Sequence, residues 1–248
     1  MNPSFARFSF LSSLVYFLFP KKCVFCGAVL DADAPINICD KCAGDIPFYA
    51  GKYLFESGNR GAHGRKLCDR AVCALNYTGH VKRAIARYKF YERKEYGITF
   101  AALLCEKLLR VEKGRKYDFA VCVPLSRKRM RERGYNQAAV IARHAAEFFG
   151  CPFYDDLLAR DEHALRQSTL KRGERYKNVQ SAFWVDETAA RKLPLADNSP
   201  PSCNLPIAGA RILLIDDVAT SLSTLNACAA ALKAAGAAEV VGAVVAAP

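Results

Sequence analysis

The sequence has no hydrophobic run long enough to span a membrane. The apolar stretch FSFLSSLVYFLFP (residues 8–20) is shorter than the roughly 20 residues that a transmembrane helix needs. Pro20 and two lysines follow it, where a signal peptide would carry a small-x-small cleavage site. We therefore expect a cytoplasmic protein in which this stretch forms an amphipathic helix packed on the rest of the chain. Peripheral contact with the inner membrane is the alternative.

Acidic residues are scarce relative to basic ones. The chain has 24 Asp and Glu against 36 Lys and Arg, which gives a net charge of +12 and a pI of about 9.2. This excess favours anionic partners such as phosphates, nucleic acid or an acidic membrane surface. Five of the seven residues from 127 to 133 are basic, and a second basic set lies between 166 and 177. For any single residue, a solvated helix face is the alternative.

Histidine is also scarce, whereas cysteine is abundant. The four histidines are scattered, and the odd number of cysteines, eleven, argues against a secreted disulfide framework. Four thiols follow the spacing C-x2-C-x12-C-x2-C, and zinc prefers such a tetrahedral thiolate set. These predicted ligands of a structural zinc ion are Cys23, Cys26, Cys39 and Cys42. Four buried thiols or two disulfides are the alternatives. The other seven cysteines lack such a spacing, and several of them are expected to be small core residues.

The second half of the chain alternates strands with helices. Apolar strands are predicted at 119–124, 211–217 and 239–247, and helices at 136–150 and 223–237. Such alternation predicts an α/β fold with a mostly parallel sheet flanked by helices. A further core-facing helix is predicted from Tyr96 to Leu109. Its expected buried residues are Ile98, Ala101, Ala102, Cys105, Leu108 and Leu109.

These elements divide the chain into two predicted domains. Residues 1–50 hold the N-terminal helix and the four-cysteine zinc module, and residues 51–248 form the α/β domain. The proline-rich segment 186–210 is expected to be a surface insertion.

Two adjacent aspartates end the apolar strand in ILLIDDVATSLST (residues 212–224). The carboxylates of Asp216 and Asp217 repel one another unless hydrogen-bond donors or a cation lie nearby, which indicates sugar hydroxyls or Mg²⁺. The turn that follows offers side-chain hydroxyls and backbone N–H groups at the start of a helix, a place that favours an anion. A plain helix N-cap is the alternative, but one aspartate would satisfy it.

The acidic turn has the form of a known signature. It resembles the phosphoribosyl-pyrophosphate (PRPP) motif of type I phosphoribosyltransferases, which reads apolar strand, two acids and V-x-T-T-G-x-T. The segment VPLSRKRMRERGYNQA (123–138) and a spaced series further on narrow the resemblance. That series is Arg160, Gln167, Leu170, Arg175 and Asn178. With the four-cysteine module, these motifs are similar to the ComF (ComFC-like) family of competence proteins, from about residue 20 to the C-terminus. The R-G-Y-N-Q element is the sharpest marker.

The resemblance implies a type I phosphoribosyltransferase-like fold that binds PRPP together with Mg²⁺. Asp216 and Asp217 would be the catalytic pair and would hold the ribose hydroxyls. The implied phosphate-binding turn is Val218, Ala219, Thr220, Ser221, Leu222, Ser223 and Thr224. The implied pyrophosphate loop is Leu125, Ser126 and Arg127. The cover loop (160–178) and the family marker contribute Arg133, Asn136, Gln137, Gln167, Arg175 and Asn178.

One position departs from the signature. Leu222 stands where the pattern has glycine, which permits a tight turn and a close approach of the backbone. The Cβ of leucine is expected to obstruct that approach, and its side chain to place apolar bulk beside the phosphate. Two outcomes are open: phosphate binding with altered geometry, or loss of transferase turnover.

Basic and aromatic residues are interleaved in ARYKFYERKEYG (86–97). This pattern is typical of single-stranded DNA binding, in which aromatic rings stack on bases and cations contact phosphates. The candidate residues are Arg87, Tyr88, Lys89, Phe90 and Tyr91. Core aromatics beside solvated charges are the alternative.

Three functions are open at this point. The resemblance implies a competence protein that handles incoming single-stranded DNA on a PRPP-binding fold. One alternative is an active phosphoribosyltransferase with an unidentified acceptor. The other is a non-catalytic scaffold that docks a partner such as a membrane-bound DNA-uptake helicase.

Overall fold

A mostly parallel sheet forms the centre of the molecule. The computed structural model describes residues 17–56, 68–90, 93–161, 182–193, 206–220 and 222–248. Its strands are β1 (Phe55–Glu56), β2 (Arg70–Asn76), β3 (Phe119–Cys122), β4 (Phe153–Tyr154), β5 (Leu158–Arg160), β6 (Phe183–Val185), β7 (Arg211–Val218) and β8 (Glu239–Ala247). The main sheet has the order β1-β2-β8-β7-β3-β4, in which only the edge strand β1 is antiparallel. Strands β5 and β6 form a separate antiparallel pair.

Helices cover both faces of this sheet. They are α1 (Asp40–Ala43), α2 (Gly79–Phe90), α3 (Tyr96–Glu112), α4 (Arg127–Arg133), α5 (Gln137–Phe149), α6 (Glu187–Ala190) and α7 (Ser223–Ala234). Helices α2, α3 and α5 pack on one face, and α7 packs on the other together with β6. The predicted α/β architecture, with a mostly parallel sheet flanked by helices, is confirmed.

The central strands β7 and β8 are apolar apart from charged residues at their ends because both of their faces are buried. Along β7, Leu213 and Ile215 point into the core beneath α2, α3 and α5, whereas Ile212 and Leu214 point into the core beneath α7. A strand covered on both sides needs apolar residues at successive positions, which explains the continuous run in the sequence.

The structure confirms part of the predicted core face of α3 and corrects the rest. Ala101, Cys105 and Leu108 are buried as predicted, whereas Ile98 and Leu109 are exposed and Ala102 is half-buried. The large buried side chains that the prediction missed are Phe100 and Leu104. The apolar pattern was wide enough to fit two neighbouring faces, and packing against α5 and the sheet selects the one that carries the large Phe100 ring.

The predicted helix at 136–150 is confirmed with its caps. The Asn136 side chain accepts a hydrogen bond from the Ala138 N–H at the start of α5, and Gly150 ends the helix in the left-handed region at φ +67°. Helix α7 ends at Ala234, three residues before the predicted end, and Gly236 follows at φ +103°.

Two predicted segments lie partly outside the described residues. Of the N-terminal amphipathic helix only residues 17–20 are described, and Phe17 and Phe19 are exposed there. The ends of the 186–210 segment are buried, through Ala190 and Ile207, so the surface-insertion prediction remains only for 194–205, which are not described. No helix among the described residues combines the length and apolarity needed to cross a bilayer.

Buried ion pairs join the amino-terminal ends of the parallel strands. Arg70, at the start of β2, donates two hydrogen bonds of 2.7 Å to the carboxylate of Glu112, at the end of α3. Arg70 also lies 2.6 Å from Glu239, at the start of β8, which in turn pairs with Arg211 of β7. This network ties α3 to three strands at the edge of the sheet where they begin.

We predict that Glu112→Gln lowers the free energy of unfolding by about 2 kcal/mol, because the buried Arg70 loses two charged hydrogen bonds and keeps only Glu239 as an ionised partner. Chemical denaturation would measure the change. The matched control is Glu132→Gln, whose exposed pairing with Lys128 at 3.8 Å should be worth less than about 0.5 kcal/mol. Equal effects of the two substitutions would contradict the prediction.

Candidate functional site

A polar cleft opens at the carboxyl edge of the sheet, opposite the ion-pair network. It has a volume of about 360 Å³ and lies where β3 and β7 end, the usual ligand position in open α/β sheets. Asp216, Asp217 and Thr220 reach it from β7 and the turn beyond. Leu125, Arg129, Arg133, Asn136 and Gln137 line it from the segment after β3. The topology therefore brings together two motifs that are about 80 residues apart in sequence.

The acidic pair is partly compensated by a lysine of α2. The Lys89 Nζ lies 2.9 Å from both carboxylate oxygens of Asp217, which is buried. The Asp216 carboxylate accepts the Asp217 backbone N–H at 2.8 Å. Burial, followed by the neighbouring charge of Asp217, raises the pKa of Asp216 to about 7, against the opposing effect of that N–H, Lys89 and Arg129. The cleft thus holds a carboxyl group that titrates near neutral pH.

The hydroxyl-rich turn leads from β7 into α7. Val218, Ala219, Thr220 and Thr224 line the cleft. The Ala219 N–H donates to the Ala246 carbonyl at 3.1 Å, which extends the β7–β8 ladder. This corrects the prediction that Ala219 offers its N–H to a phosphate, because the sheet already uses it. Ser221 lies outside the described residues.

Leu222 is accommodated without backbone strain. Its φ of −72° lies in the region open to every L-residue, and its carbonyl accepts the Asn226 N–H at 2.8 Å at the start of α7. Its side chain packs against the core cluster beneath α7, and Leu222 is absent from the residues that line the cleft. The expectation that leucine places apolar bulk in the phosphate turn is therefore wrong, because the side chain points into the core.

The loop after β3 uses different residues from those expected. The buried hydroxyl of Ser126 caps α4 by accepting the Arg129 N–H at 3.2 Å, and Arg127 is exposed and outside the cleft lining. Arg129 and Arg133, one helical turn apart, face the cleft instead. This corrects the assignment of Arg127. The sequence pattern missed Arg129, although its i, i+4 spacing to Arg133 was a usable signal.

The R-G-Y-N-Q element (residues 133–137) connects the elements around the cleft through hydrogen bonds. Gly134 ends α4 with φ +71°, a backbone conformation that favours glycine. The Tyr135 hydroxyl donates to the Tyr88 carbonyl, and Arg133 donates to the Gln137 side chain at 2.9 Å. Asn136 donates to the Val123 carbonyl at 3.0 Å while it caps α5. The family marker therefore joins α4, α5, β3 and the end of α2.

The basic and aromatic residues of α2 do not form the expected stacking surface. The Tyr88 ring is fully buried and its hydroxyl donates to the Gln137 carbonyl at 2.9 Å, so the prediction that it stacks on bases is wrong. Arg87 and Lys89 make contacts within the protein. Phe90 is 61 % exposed, with the Arg133 guanidinium 5.4 Å from its ring centroid. Tyr91 is not described.

The start of the predicted cover loop reaches the cleft. Arg160 of β5 and Phe183 of β6 line it, and the guanidinium lies 5.6 Å from the centroid of the ring. Gln167, Arg175 and Asn178 lie outside the described residues. Three further residues line the cleft although no spacing in the sequence indicates them: Tyr77, Lys89 and Phe183.

The four predicted metal ligands converge. The Sγ atoms of Cys23, Cys26, Cys39 and Cys42 all lie within 4.8 Å of one another, and those of Cys26 and Cys39 are 3.6 Å apart. Tetrahedral coordination with bonds of about 2.3 Å places sulfurs about 3.8 Å apart, so the four thiols are suitable ligands for one metal ion. All described cysteines are free, which excludes the two-disulfide alternative in this structure.

One thiol of this cluster is already acidic. Burial alone would raise the pKa of Cys23, but the N–H groups of Cys26, Cys39 and Phe25 lower it to about 7. A partly ionised thiol among three others favours metal binding. Of the remaining cysteines, five are buried, as predicted: Cys68, Cys73, Cys105, Cys122 and Cys228.

The cleft places an acidic pair and a hydroxyl-rich turn at the carboxyl end of a central parallel strand, which is the arrangement that the resemblance to type I phosphoribosyltransferases implied. No family model matches the chain. It is 32% identical over 174 residues to competence protein ComFC of Streptococcus pneumoniae, covering 70% of this chain and 66% of that protein. The chain belongs to the ComF family of competence proteins.

Two further relatives have related names. Competence protein F of Haemophilus influenzae is 26% identical over 208 residues, which cover 82% of this chain and 81% of that protein. DNA utilization protein YhgH of Salmonella typhi is 27% identical over 175 residues, 69% of each chain.

Similar solved structures come from nucleotide metabolism. One is an allosteric regulatory enzyme of purine biosynthesis, with a TM-score of 0.39 and 17% identity. Another is glutamine PRPP amidotransferase from B. subtilis in complex with ADP and GMP, with a TM-score of 0.37 and 15% identity. The matched region covers 64% of this chain but only 29% and 30% of those two chains.

We predict that Asp216→Asn stabilises the protein, and more so at pH 8 than at pH 4. The raised pKa means that the folded chain keeps a proton that the unfolded chain releases, so wild-type stability declines as pH rises from about 4 to about 7. The Asp216→Asn variant has no such decline in stability, and its gain over wild type should reach on the order of 4 kcal/mol at pH 8. Denaturant unfolding across this range measures it, with the exposed Asp156→Asn as control. Parallel pH profiles of wild type and Asp216→Asn would contradict the prediction.

Proposed function

We propose that the cleft binds PRPP. The observation that carries this proposal is the meeting of an acidic pair with a basic helix face across one cavity: Asp216 and Asp217 on one side, Arg129 and Arg133 on the other. PRPP has matching parts, since it carries a ribose diol between two phosphorylated ends. Carboxylates accept hydrogen bonds from hydroxyls, and guanidinium groups bind phosphate oxygens.

Each end of the ligand has a counterpart in the protein. The pair Asp216 and Asp217 accepts the ribose hydroxyls, and the turn from Thr220 to Thr224 receives the 5′-phosphate at the start of α7. Arg129, Arg133 and Arg160 lie around the pyrophosphate. Mg²⁺ fits this cleft as a companion of the ligand, because it binds through phosphates with one or two carboxylates, and the cleft supplies two.

The cysteine cluster is proposed to hold a structural zinc ion. Four thiols and no other ligand type form the group, and a complete thiolate shell leaves no position for a reactant. Zinc would fix the loop that connects the two C-x-x-C turns. The ion would have a structural role and would not take part in a reaction.

We propose a role in competence and DNA utilization from the names of the relatives. Two of them are named competence proteins, and one is named a DNA utilization protein. A contact with single-stranded DNA is supported by the outer face of α4. Arg127, Lys128 and Arg131 are exposed there, and the exposed Phe90 ring contacts Arg133 at the end of the same helix. Cations beside an exposed aromatic ring are a suitable surface for a sugar–phosphate backbone and a stacked base.

Calorimetric titration with PRPP and Mg²⁺ tests the proposed ligand. We expect wild type to bind, and the double substitution of Asp216 and Asp217 by asparagine to weaken binding at least tenfold, because each lost charged hydrogen bond is worth about 1.5 kcal/mol or more. Asp156→Asn should leave binding unchanged. Absence of binding to wild type would refute the proposal.

Leu222→Gly addresses the departure from the signature in the same titration. Because the leucine has an unstrained backbone and packs in the core, we expect the affinity for PRPP to change by less than about threefold. A tenfold gain would show that the leucine weakens the natural site. Release of pyrophosphate in the presence of candidate acceptors separates transferase turnover from binding alone.

The DNA contact is tested by the salt dependence of oligothymidine binding. Replacing Arg127, Lys128 and Arg131 by glutamine should reduce the slope of log K against log salt by about 2, since each phosphate contact contributes about 0.7 for a single strand. The control replaces Lys52, Lys113 and Lys116, exposed at the opposite edge of the sheet, and should leave the slope unchanged. Equal slopes for both triple variants would contradict the surface assignment.

A further inference from the structure

Three consecutive residues of α2 contact three different parts of the protein. Arg87 contacts the cysteine module, Tyr88 contacts the R-G-Y-N-Q element, and Lys89 contacts the acidic pair of the cleft. On a helix, successive side chains point about 100° apart, so one short segment can reach three neighbours at once.

The first contact depends on the loop that carries the first pair of thiols. One Nη2 group of Arg87 donates to the carbonyls of Val24 and Phe25, at 2.6 and 2.7 Å. Both carbonyls lie between Cys23 and Cys26. The buried Nε of Arg87 has no hydrogen-bond partner among the described residues. The hydrogen bonds to these two carbonyls therefore offset most of the free energy that burying the guanidinium group costs.

A metal ion would set the position of those carbonyls. The loop already has a tight turn, in which the Gly27 N–H donates to the Cys23 carbonyl at 2.9 Å. A metal bound to Cys23 and Cys26 clamps both ends of this turn. Removing the ion frees four neighbouring thiols and allows the loop, with its two acceptors, to move away from Arg87.

The second contact prevents α2 from adjusting on its own. Tyr88 is fully buried, donates to the Gln137 carbonyl at 2.9 Å, and accepts from the Tyr135 hydroxyl through its own carbonyl. A shift of α2 must therefore displace residues 133–137, which include the cleft residue Arg133.

The third contact ends in the cleft. Lys89, two residues beyond Arg87, holds Asp217 at 2.9 Å and is the described lysine that lines the cavity. Its position decides how much positive charge compensates the pair that would receive the ribose.

We propose that Arg87 is a positioning residue that couples the metal centre to the cleft, acting through Lys89 and the R-G-Y-N-Q element. With the metal bound, Arg87 anchors α2 and Lys89 stays on Asp217; without it, the anchor is lost and the cleft loses affinity for PRPP. The ligand in this statement rests on the function proposed above, whereas the coupling itself does not.

The experiment compares wild type, Arg87→Gln and the control Arg83→Gln, an exposed arginine on the same helix. Metal content per chain, affinity for PRPP with Mg²⁺, and amide hydrogen exchange are measured before and after chelation. We expect Arg87→Gln to keep its metal but bind PRPP about tenfold more weakly, the size expected for one lost charged contact. Chelation should weaken wild type and Arg83→Gln to the same degree and should leave Arg87→Gln unchanged.

Hydrogen exchange tests the coupling without PRPP. Removing the metal from wild type should speed exchange in residues 79–90 and 133–138 and leave β7 and β8 protected. Faster exchange confined to residues 21–44 would overturn the proposal, and so would full PRPP affinity in metal-loaded Arg87→Gln. If wild type binds no PRPP, the proposed function is wrong, but the exchange rates still show whether the metal centre is coupled to the cleft. If chelation unfolds the chain, the metal-loaded Arg87→Gln variant decides it.

Discussion

The ion pair between Lys89 and Asp217 is the interaction on which the rest of the cleft depends. Two aspartates end a central strand, where burial and the neighbouring charge of Asp217 raise the pKa of Asp216. Lys89, on helix α2, compensates the negative charge of Asp217. Holding an ammonium group at that point requires α2 to be fixed, and its Arg87 and Tyr88 tie it to the cysteine module and to the R-G-Y-N-Q element. The cysteine module, the R-G-Y-N-Q element and the acidic pair are therefore connected to one another through contacts with α2.

Charge is organised differently at the two edges of the sheet. At the amino edge, Arg70 and Arg211 are matched by Glu112 and Glu239, so this edge is a closed network that stabilises the packing of α3 on the strands. At the carboxyl edge, Arg129 and Arg133 of α4 face the cleft, where the lining carboxylates are those of Asp216 and Asp217 and Lys89 pairs with Asp217. The basic residues that line the cleft therefore lie at the edge where the central strands end, which is the edge that would favour an anionic ligand.

Local patterns predicted some features well and others wrongly, for a physical reason. Strand and helix periodicity identified β3, β7, β8, α5 and α7, because burial on fixed faces imposes a repeat along the chain. The same patterns could not tell a buried tyrosine from a stacking one, and Tyr88 was misassigned for that reason. At Leu222 the family pattern predicted interference, but the turn places this residue at the start of α7 with its side chain in the core.

The sequence by itself determined the α/β class, the spacing of the four thiols and the acidic end of the central strand. Each of these depends on neighbours within a few residues, or on a repeat that burial enforces. Only the tertiary structure decided that Lys89 pairs with Asp217, that Arg129 and not Arg127 faces the cleft, and that Arg87 contacts the cysteine module. These are contacts between segments as far apart as 128 residues, and they follow from how the helices pack on the sheet, which no local spacing encodes.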